Sequence, residues 1–303
     1  MKSTFIPRAM FLIVTMAAIT ISCKKDENKP AGPDNIATIV SKNPDFSILN
    51  TAITRAGLGA ALSGGTLTVF APDNAAFAAS GLTAAAVINL PVASLDSILK
   101  YHVLTTEVGS SSVPVSDAVT TFLGTKLFAS RNTNGVFTNG IKVKTADVDA
   151  SNGVIHVISK VLFPPTKNIA QIVAGDTSFS LLLAAVTKAG LAGAVSGPGK
   201  FTVFAPTNAA FRAAGFSTVA DINAAPTDVI TTVVKYHVLT TNVFASDLTD
   251  GLTTASLQGG NLTVNLSPAR VKITSSTKPS SNITAADIVA TNGVVHVIDR
   301  VLL

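Results

Sequence analysis

The side chains in this sequence that could do chemistry are few, and they recur. Among 303 residues there are four histidines, two tyrosines and one cysteine. Both tyrosines stand directly before a histidine, in Lys100-Tyr101-His102-Val103-Leu104 and in Lys235-Tyr236-His237-Val238-Leu239. The other two, His156 and His296, sit in Val-Ile-His-Val-Ile and Val-Val-His-Val-Ile. An imidazole can act as a general base, a metal ligand or a polar contact. A tyrosine offers a partner both a ring and a hydroxyl. Tyr101, His102, Tyr236 and His237 are therefore the candidate binding residues. An exposed pair would make a contact surface, and a buried pair would satisfy its polar ends inside the domain. His156 and His296, flanked by Val and Ile, read as hydrogen-bonded core residues.

No arrangement of these groups matches a catalytic or metal-binding pattern. There is no Gly-x-Ser-x-Gly elbow, no His-Glu-x-x-His and no phosphate-binding glycine loop. The stretch DVDASNG at 147–153 alternates Asp147, Asp149 and Ser151 as a calcium loop would. Such a loop needs glycine at its sixth position and an acid at its twelfth. Here those positions hold Asn152 and Ile158, so the stretch reads as a turn before a strand. The expectation is a protein that binds without catalysis, with no cofactor and no metal.

These residues are positioned by a sequence written twice. TVFAPDNAAF at 68–77 returns as TVFAPTNAAF at 202–211. The segments 36–58 and 169–191 precede it, with apolar residues at helical spacing, as in Phe46, Leu49 and Ile53. Each ends in Ala-Gly-Leu, where Gly57 and Gly190 suit a left-handed helix cap. In the TVFAP motif a β-prone run ends at proline, and Asp73 or Thr207 can cap the helix that follows. Pro91 and Pro226 suit the start of a helix that runs to each Tyr-His pair. The last pair, 147–163 and 287–303, joins an Asn-Gly turn to an apolar strand. Helices in the first part of each copy and strands toward its end imply an α+β fold.

The motifs, their order and their spacing resemble the fasciclin, or FAS1, domain. TVFAPDNAAF and TVFAPTNAAF match its first signature, NGVIHVISKVLF and TNGVVHVIDRVLL its second, and Tyr101-His102 and Tyr236-His237 its Tyr-His pair. The resemblance covers nearly all of 35–303. It implies two tandem domains, 35–165 and 166–303, each a twisted β-wedge or small sandwich with helices packed at one side. It also implies adhesion or matrix and polysaccharide interaction, with a contact surface around the Tyr-His pairs. The alternative is a carbohydrate-capture or envelope accessory lipoprotein serving nutrient uptake, against which the low aromatic content argues. Pro164-Pro165 would restrict the angle between the domains.

The first 22 residues read as a leader. MKSTFIPR is basic, and an apolar run from Ala9 to Ile21 is too short to span a bilayer. Ser22-Cys23 then resembles a bacterial lipoprotein cleavage site, with Cys23 as the lipidated residue; Thr20 departs from the usual leucine. Residues 23–34 are charged and Pro-containing and read as a flexible tether. CKKDE is either a solvated linker or an acidic tract that directs export to the outer surface. The expected location is the bacterial outer membrane, facing the surface or the periplasm. A surface glycan, a matrix protein or a cell-envelope protein is the expected partner. The formal charge is +5, and Lys and Arg form no stripe with interleaved aromatics, so nucleic acid is not expected.

Overall fold

The first copy opens with helix α1 (Ile36–Lys42), held at its start by the Asn35 side chain, which accepts from the Thr38 N–H. Helices α2 (Ser47–Ala56) and α3 (Gly59–Ser63) follow, and Gly57 closes α2 at φ +69°. Strand β1 (Leu67–Pro72) runs into α4 (Asn74–Ala79). Asp73 caps that helix by accepting from the Ala76 N–H at 2.7 Å. Helices α5 (Ala84–Asn89) and α6 (Val92–Tyr101) lead to the strands β2 (Val103–Leu104), β3 (Ser116–Thr120), β4 (Lys126–Asn132), β5 (Gly135–Thr138), β6 (Ile141–Ala150) and β7 (Gly153–Ile158). This computed structural model describes Met1 and residues 32–302, apart from 115, 268–269 and 275–279. The leader, Cys23 and most of the tether lie outside the described residues.

The second copy repeats this order. Its helices are α7 (Ile169–Ala174), α8 (Ser180–Lys188), α9 (Ala192–Ser196), α10 (Asn208–Ala213), α11 (Val219–Ala224) and α12 (Thr227–Tyr236). Its strands are β8 (Phe201–Pro206), β9 (Val238–Leu239), β10 (Thr253–Ala255), β11 (Asn261–Ser267), β12 (Arg270–Thr274), β13 (Ser281–Ala290) and β14 (Gly293–Ile298). Thr207 takes the capping role of Asp73, accepting from the Ala210 N–H at 3.3 Å. From Pro33 onward the chain forms one compact unit.

Each copy has one seven-stranded mixed sheet, in the order β2-β1-β7-β6-β5-β4-β3 and β9-β8-β14-β13-β12-β11-β10. The fold is therefore α+β. The strand of the opening motif lies inside the sheet, parallel to the last strand of its copy: Val69 lies beside Ile155 and Val203 beside Val295. Strand β6 is long enough to join the two halves of its sheet. Its pairing with β7 shifts register around Thr145, and Asp147 there has φ 55°. Such a bulge bends and twists the strand, which gives the wedge its bend.

The Asn-Gly turns do more than reverse the chain. Gly153 has φ +135°, and a Cβ there would stand 1.9 Å from the Leu67 carbonyl oxygen. Glycine thus lets β7 start tight against β1. The preceding Asn152 accepts from the Ile36 N–H and donates to the Leu62 carbonyl, which ties α1 and α3 to the turn. Asn292 does the same for Ile169 and Val195.

The core of each copy has two parts. Helical Phe46, Leu49, Phe77, Leu95 and Leu99 pack on Val69 and Ile155 at the helical side of the first sheet. Phe70, Tyr101, Leu104, Leu127, Val143 and Ile158 fill the strand-rich end. The second copy has matching clusters, around Phe179, Phe211 and Val295 and around Phe204, Tyr236 and Ile298.

Candidate functional site: the Tyr-His pairs and the domain junction

Helix α6 packs Leu95 and Leu99 on the helical side of the sheet, and its last residue, Tyr101, enters the strand-rich core instead. Tyr101 is fully buried. Its hydroxyl donates to the Lys126 carbonyl and accepts from the Asn139 amide, both at 2.9 Å. Burial pushes the phenol up to about 12. In the second copy the Tyr236 hydroxyl donates to the Asn261 carbonyl at 2.7 Å.

The following histidine ends each helix. His102 is buried, with Nδ1 2.7 Å from the Ile98 carbonyl oxygen and Nε2 accepting from the Leu162 N–H at 2.9 Å. An N–H aimed at Nε2 requires that ring nitrogen to be bare, so the ring proton sits on Nδ1. His237 repeats this between Val233 and Leu302. Burial lowers both imidazoles to about 4, so both are neutral at physiological pH. Each ring fastens the segment leaving the last strand to the end of the α6 or α12 helix.

The four Tyr-His side chains are therefore inside the molecule, at 0%, 3%, 9% and 2% exposure in chain order. Of the two readings open for these pairs, this burial matches the one in which the rings satisfy their polar ends inside the domain. The reason is local. The last residue of the helix delivers the tyrosine ring to the strand-rich core, and the capping histidine supplies the hydrogen bonds that the end of the domain needs. His156 and His296 are likewise fully buried. Their Nε2 atoms donate to the Val108 and Val243 carbonyls at 2.8 Å.

The acids of the DVDASNG stretch are engaged in the fold. Asp147 receives both the N–H and the hydroxyl of Ser110, and these hold its carboxyl below the usual range. At the matching place the second copy has Ala245 in place of Ser110, and Asp287 keeps only the Ala245 N–H, at 2.8 Å. Burial raises the Asp287 carboxyl, while the buried His296 beside it is lowered. His296 Nδ1 accepts the Asp287 N–H, so the 4.0 Å approach of ring and carboxylate is between a neutral imidazole and an acid.

The structure brings together a junction that the sequence had not singled out. Phe244 packs against Phe128 with ring centroids 5.8 Å apart, beside Val294. Asp247 accepts from the Ser130 hydroxyl at 2.7 Å, and the Ser246 carbonyl accepts from the Asn132 amide at 2.8 Å. Lys200 and Asp117 form an ion pair across the same junction. The signal lies in where the copies differ. Phe244 and Asp247 replace Gly109 and Ser112 of the first copy, and Phe128 stands where the second copy has Thr263. The turn at 139–140 completes the contact. Gly140, at φ +75°, faces Asp287, and a Cβ there would lie 2.8 Å from Asp287 Oδ2.

Two stretches, residues 44–164 and 177–303, match the family model of the fasciclin domain. The chain belongs to the fasciclin family. Each copy is thus a FAS1 domain. One relative is the transforming growth factor-beta-induced protein ig-h3 of Sus scrofa, 32% identical over 243 residues that cover 79% of this chain and 35% of that protein. This chain therefore spans about a third of the length of that relative. Protein sll1483 of Synechocystis is 38% identical over 148 residues, 48% of this chain and 79% of that protein. The cell surface glycolipoprotein MPB83 of Mycobacterium bovis is 31% identical over 153 residues, 46% of this chain and 68% of that protein. Among solved structures, a FAS1 domain pair from the insect cell adhesion molecule fasciclin I covers 88% of this chain and 95% of its own, at 18% identity and TM-score 0.42. Among the described residues no helix is long and apolar enough to cross a membrane.

Proposed function

We propose that this FAS1 pair is a lipid-anchored adhesion module that binds a glycan, matrix or envelope partner outside the cell and carries out no covalent chemistry. The observation that carries this reading is the use of the four imidazoles. All four are buried and hydrogen-bonded to the backbone, and so serve the fold in preference to a reacting centre. The junction supports it further. Phe128, Phe244, Ser130 and Asp247 join the domains into one body that can present a surface spanning both.

The anchor rests on Cys23 at the end of an apolar leader, and the likeness to a glycolipoprotein of the cell surface supports it. In this reading the leader is cut before Cys23, and the acylated cysteine holds the pair at the bacterial outer membrane. The test is the purified full chain in detergent against arrays of glycans, matrix proteins and bacterial surfaces. Saturable binding to one class is expected. Binding to none of them, or turnover of an ester or glycoside panel, overturns the proposal.

A further inference from the structure

The two domains and their linker enclose a cleft of about 860 Å³. Its volume is that of a ligand site rather than a packing defect. The charged side chains that line it are Lys142, Lys160, Lys167 and Asp287. Three lysines and one aspartate thus contribute to its lining. Lys42, Lys100, Lys144 and Lys200 elsewhere each have an aspartate partner. Lys142, Lys160 and Lys167 have none within 4.0 Å among the described residues. Lys142 on β6 and Lys160 past the end of β7 both belong to the first domain, and the assembled pair adds Lys167 to them.

The rest of the lining mixes polar Asn139, Ser159 and Thr166 with apolar side chains, and the Phe163 ring on it is half-exposed. An exposed aromatic ring beside lysines and small polar side chains suits a ligand that has a hydrocarbon face, hydroxyls and anions. A pyranose ring bearing a carboxylate has all three. An acidic peptide fits less well. Peptides held in the extended form add to a free sheet edge, and β6 and β13, which line the cleft, are both interior strands. The ligand must be gripped by side chains.

We propose that the junction cleft binds a uronic-acid-bearing glycan, its carboxylates paired with Lys142, Lys160 and Lys167 and a sugar face resting on Phe163. The site rests on the reading of this chain as a surface-binding module and gives that reading a ligand class. It also explains the junction: the domains are locked because the site is made from both.

The experiment is binding of the full chain to polygalacturonate and alginate, with neutral dextran and poly-glutamate beside them. Wild type is compared with Lys142→Glu/Lys160→Glu/Lys167→Glu. A control with the same charge change, Lys42→Glu/Lys126→Glu/Arg212→Glu, lies away from the cleft. The single variant Lys160→Ala and melting temperatures accompany both. We expect the cleft variant to lose about tenfold or more in affinity, the control to lose little, and wild-type binding to fall with salt. Equal loss in cleft and control variants overturns the site, because net charge then suffices. Equal affinity for poly-glutamate, lost in the same variant, overturns the glycan assignment. Binding to other surfaces with none to polyuronates overturns this inference and leaves the adhesion module standing, whereas no binding anywhere removes both. If the triple variant fails to fold, unchanged binding by Lys160→Ala overturns the site.

Discussion

Tyr101 and Asn139 share a buried hydrogen bond of 2.9 Å, and it connects the interior of the first domain to its junction with the second. Asn139 also accepts from the Phe128 N–H, so one amide joins the tyrosine to the strand that carries the junction phenylalanine. The next residue, Gly140, is the one that meets Asp287 and Phe244. A family signature residue thus acts on the interface at one remove.

Tyr101→Phe tests that chain of contacts. It keeps the ring and strands two buried partners, the Lys126 carbonyl and the Asn139 amide. Each stranded group costs about 1–3 kcal/mol. Urea unfolding should show a loss in that range or above it, with the slope unchanged. A loss within error would mean that the hydroxyl is dispensable and that Asn139 holds its place without it.

Gly140→Ala and Gly124→Ala separate backbone strain from crowding at the junction. Both glycines have left-handed φ, +75° and +86°. A Cβ at Gly124 meets nothing within 4 Å, whereas one at Gly140 meets Asp287 Oδ2 at 2.8 Å. Gly124→Ala should cost about 1 kcal/mol. Gly140→Ala should cost more and should also speed proteolysis in the linker. Equal costs would show that Asp287 moves aside freely.

The pH dependence of stability should carry the mark of the two capping histidines. Their folded values, about 4, lie below the ordinary imidazole value of 6.5, so between these limits the unfolded chain binds more protons. The stability they contribute is present above the unfolded value and is lost as pH falls through the folded one. Each contributes on the order of 3 kcal/mol over that window. His102→Gln removes one titration and should flatten the fall between pH 6.5 and 4, although it lowers stability at pH 7. A profile as steep as wild type would place the titration elsewhere.

Much of this was legible in the sequence, because the motifs encode local geometry. The caps at Asp73 and Thr207, the left-handed Gly57 and Gly190, and the burial of His156 and His296 each follow from a few neighbouring residues. What was not legible depends on distant chain. Tyr101 looks equally able to face solvent until Lys126 and Asn139 arrive from the strands. The parallel pairing of β1 with β7 leaves only a trace, the glycine at 153 that permits it. The junction was written in the differences between the copies, at Gly109 and Phe244 or Phe128 and Thr263, whereas the match between copies draws the eye first. Three lysines on three segments form no motif at all.

Asp287→Asn should stabilise the protein at neutral pH. The carboxyl is raised chiefly by burial, and the nearby Asp247 adds to this. Any stability linked to a raised acid is full below its unfolded value and is lost as pH rises through the folded one. At pH 7 wild type therefore holds a charge that its site disfavours. Asparagine keeps an oxygen for the Ala245 N–H, and it tolerates the φ of 61°. The variant should melt above wild type at pH 7, and the difference should narrow toward pH 4. A lower melting point at pH 7 would mean that the carboxylate is held by the lysines of the cleft more firmly than burial opposes it.

Phe244→Gly/Asp247→Ser gives the second domain the junction residues of the first. It removes the ring packed on Phe128 and the acceptor of the Ser130 hydroxyl. Burial of such a ring contributes about 1.5–3 kcal/mol, and the hydrogen bond to a charged group about as much again. Each domain keeps its own core, because the clusters around Leu95 and Phe211 do not include these side chains. The expected outcome is two calorimetric transitions in place of one, and a broader distribution of sizes by small-angle scattering. Polyuronate binding should fall with it, since the cleft needs both walls. A variant that still melts in one step and scatters as wild type would show that the linker alone sets the arrangement.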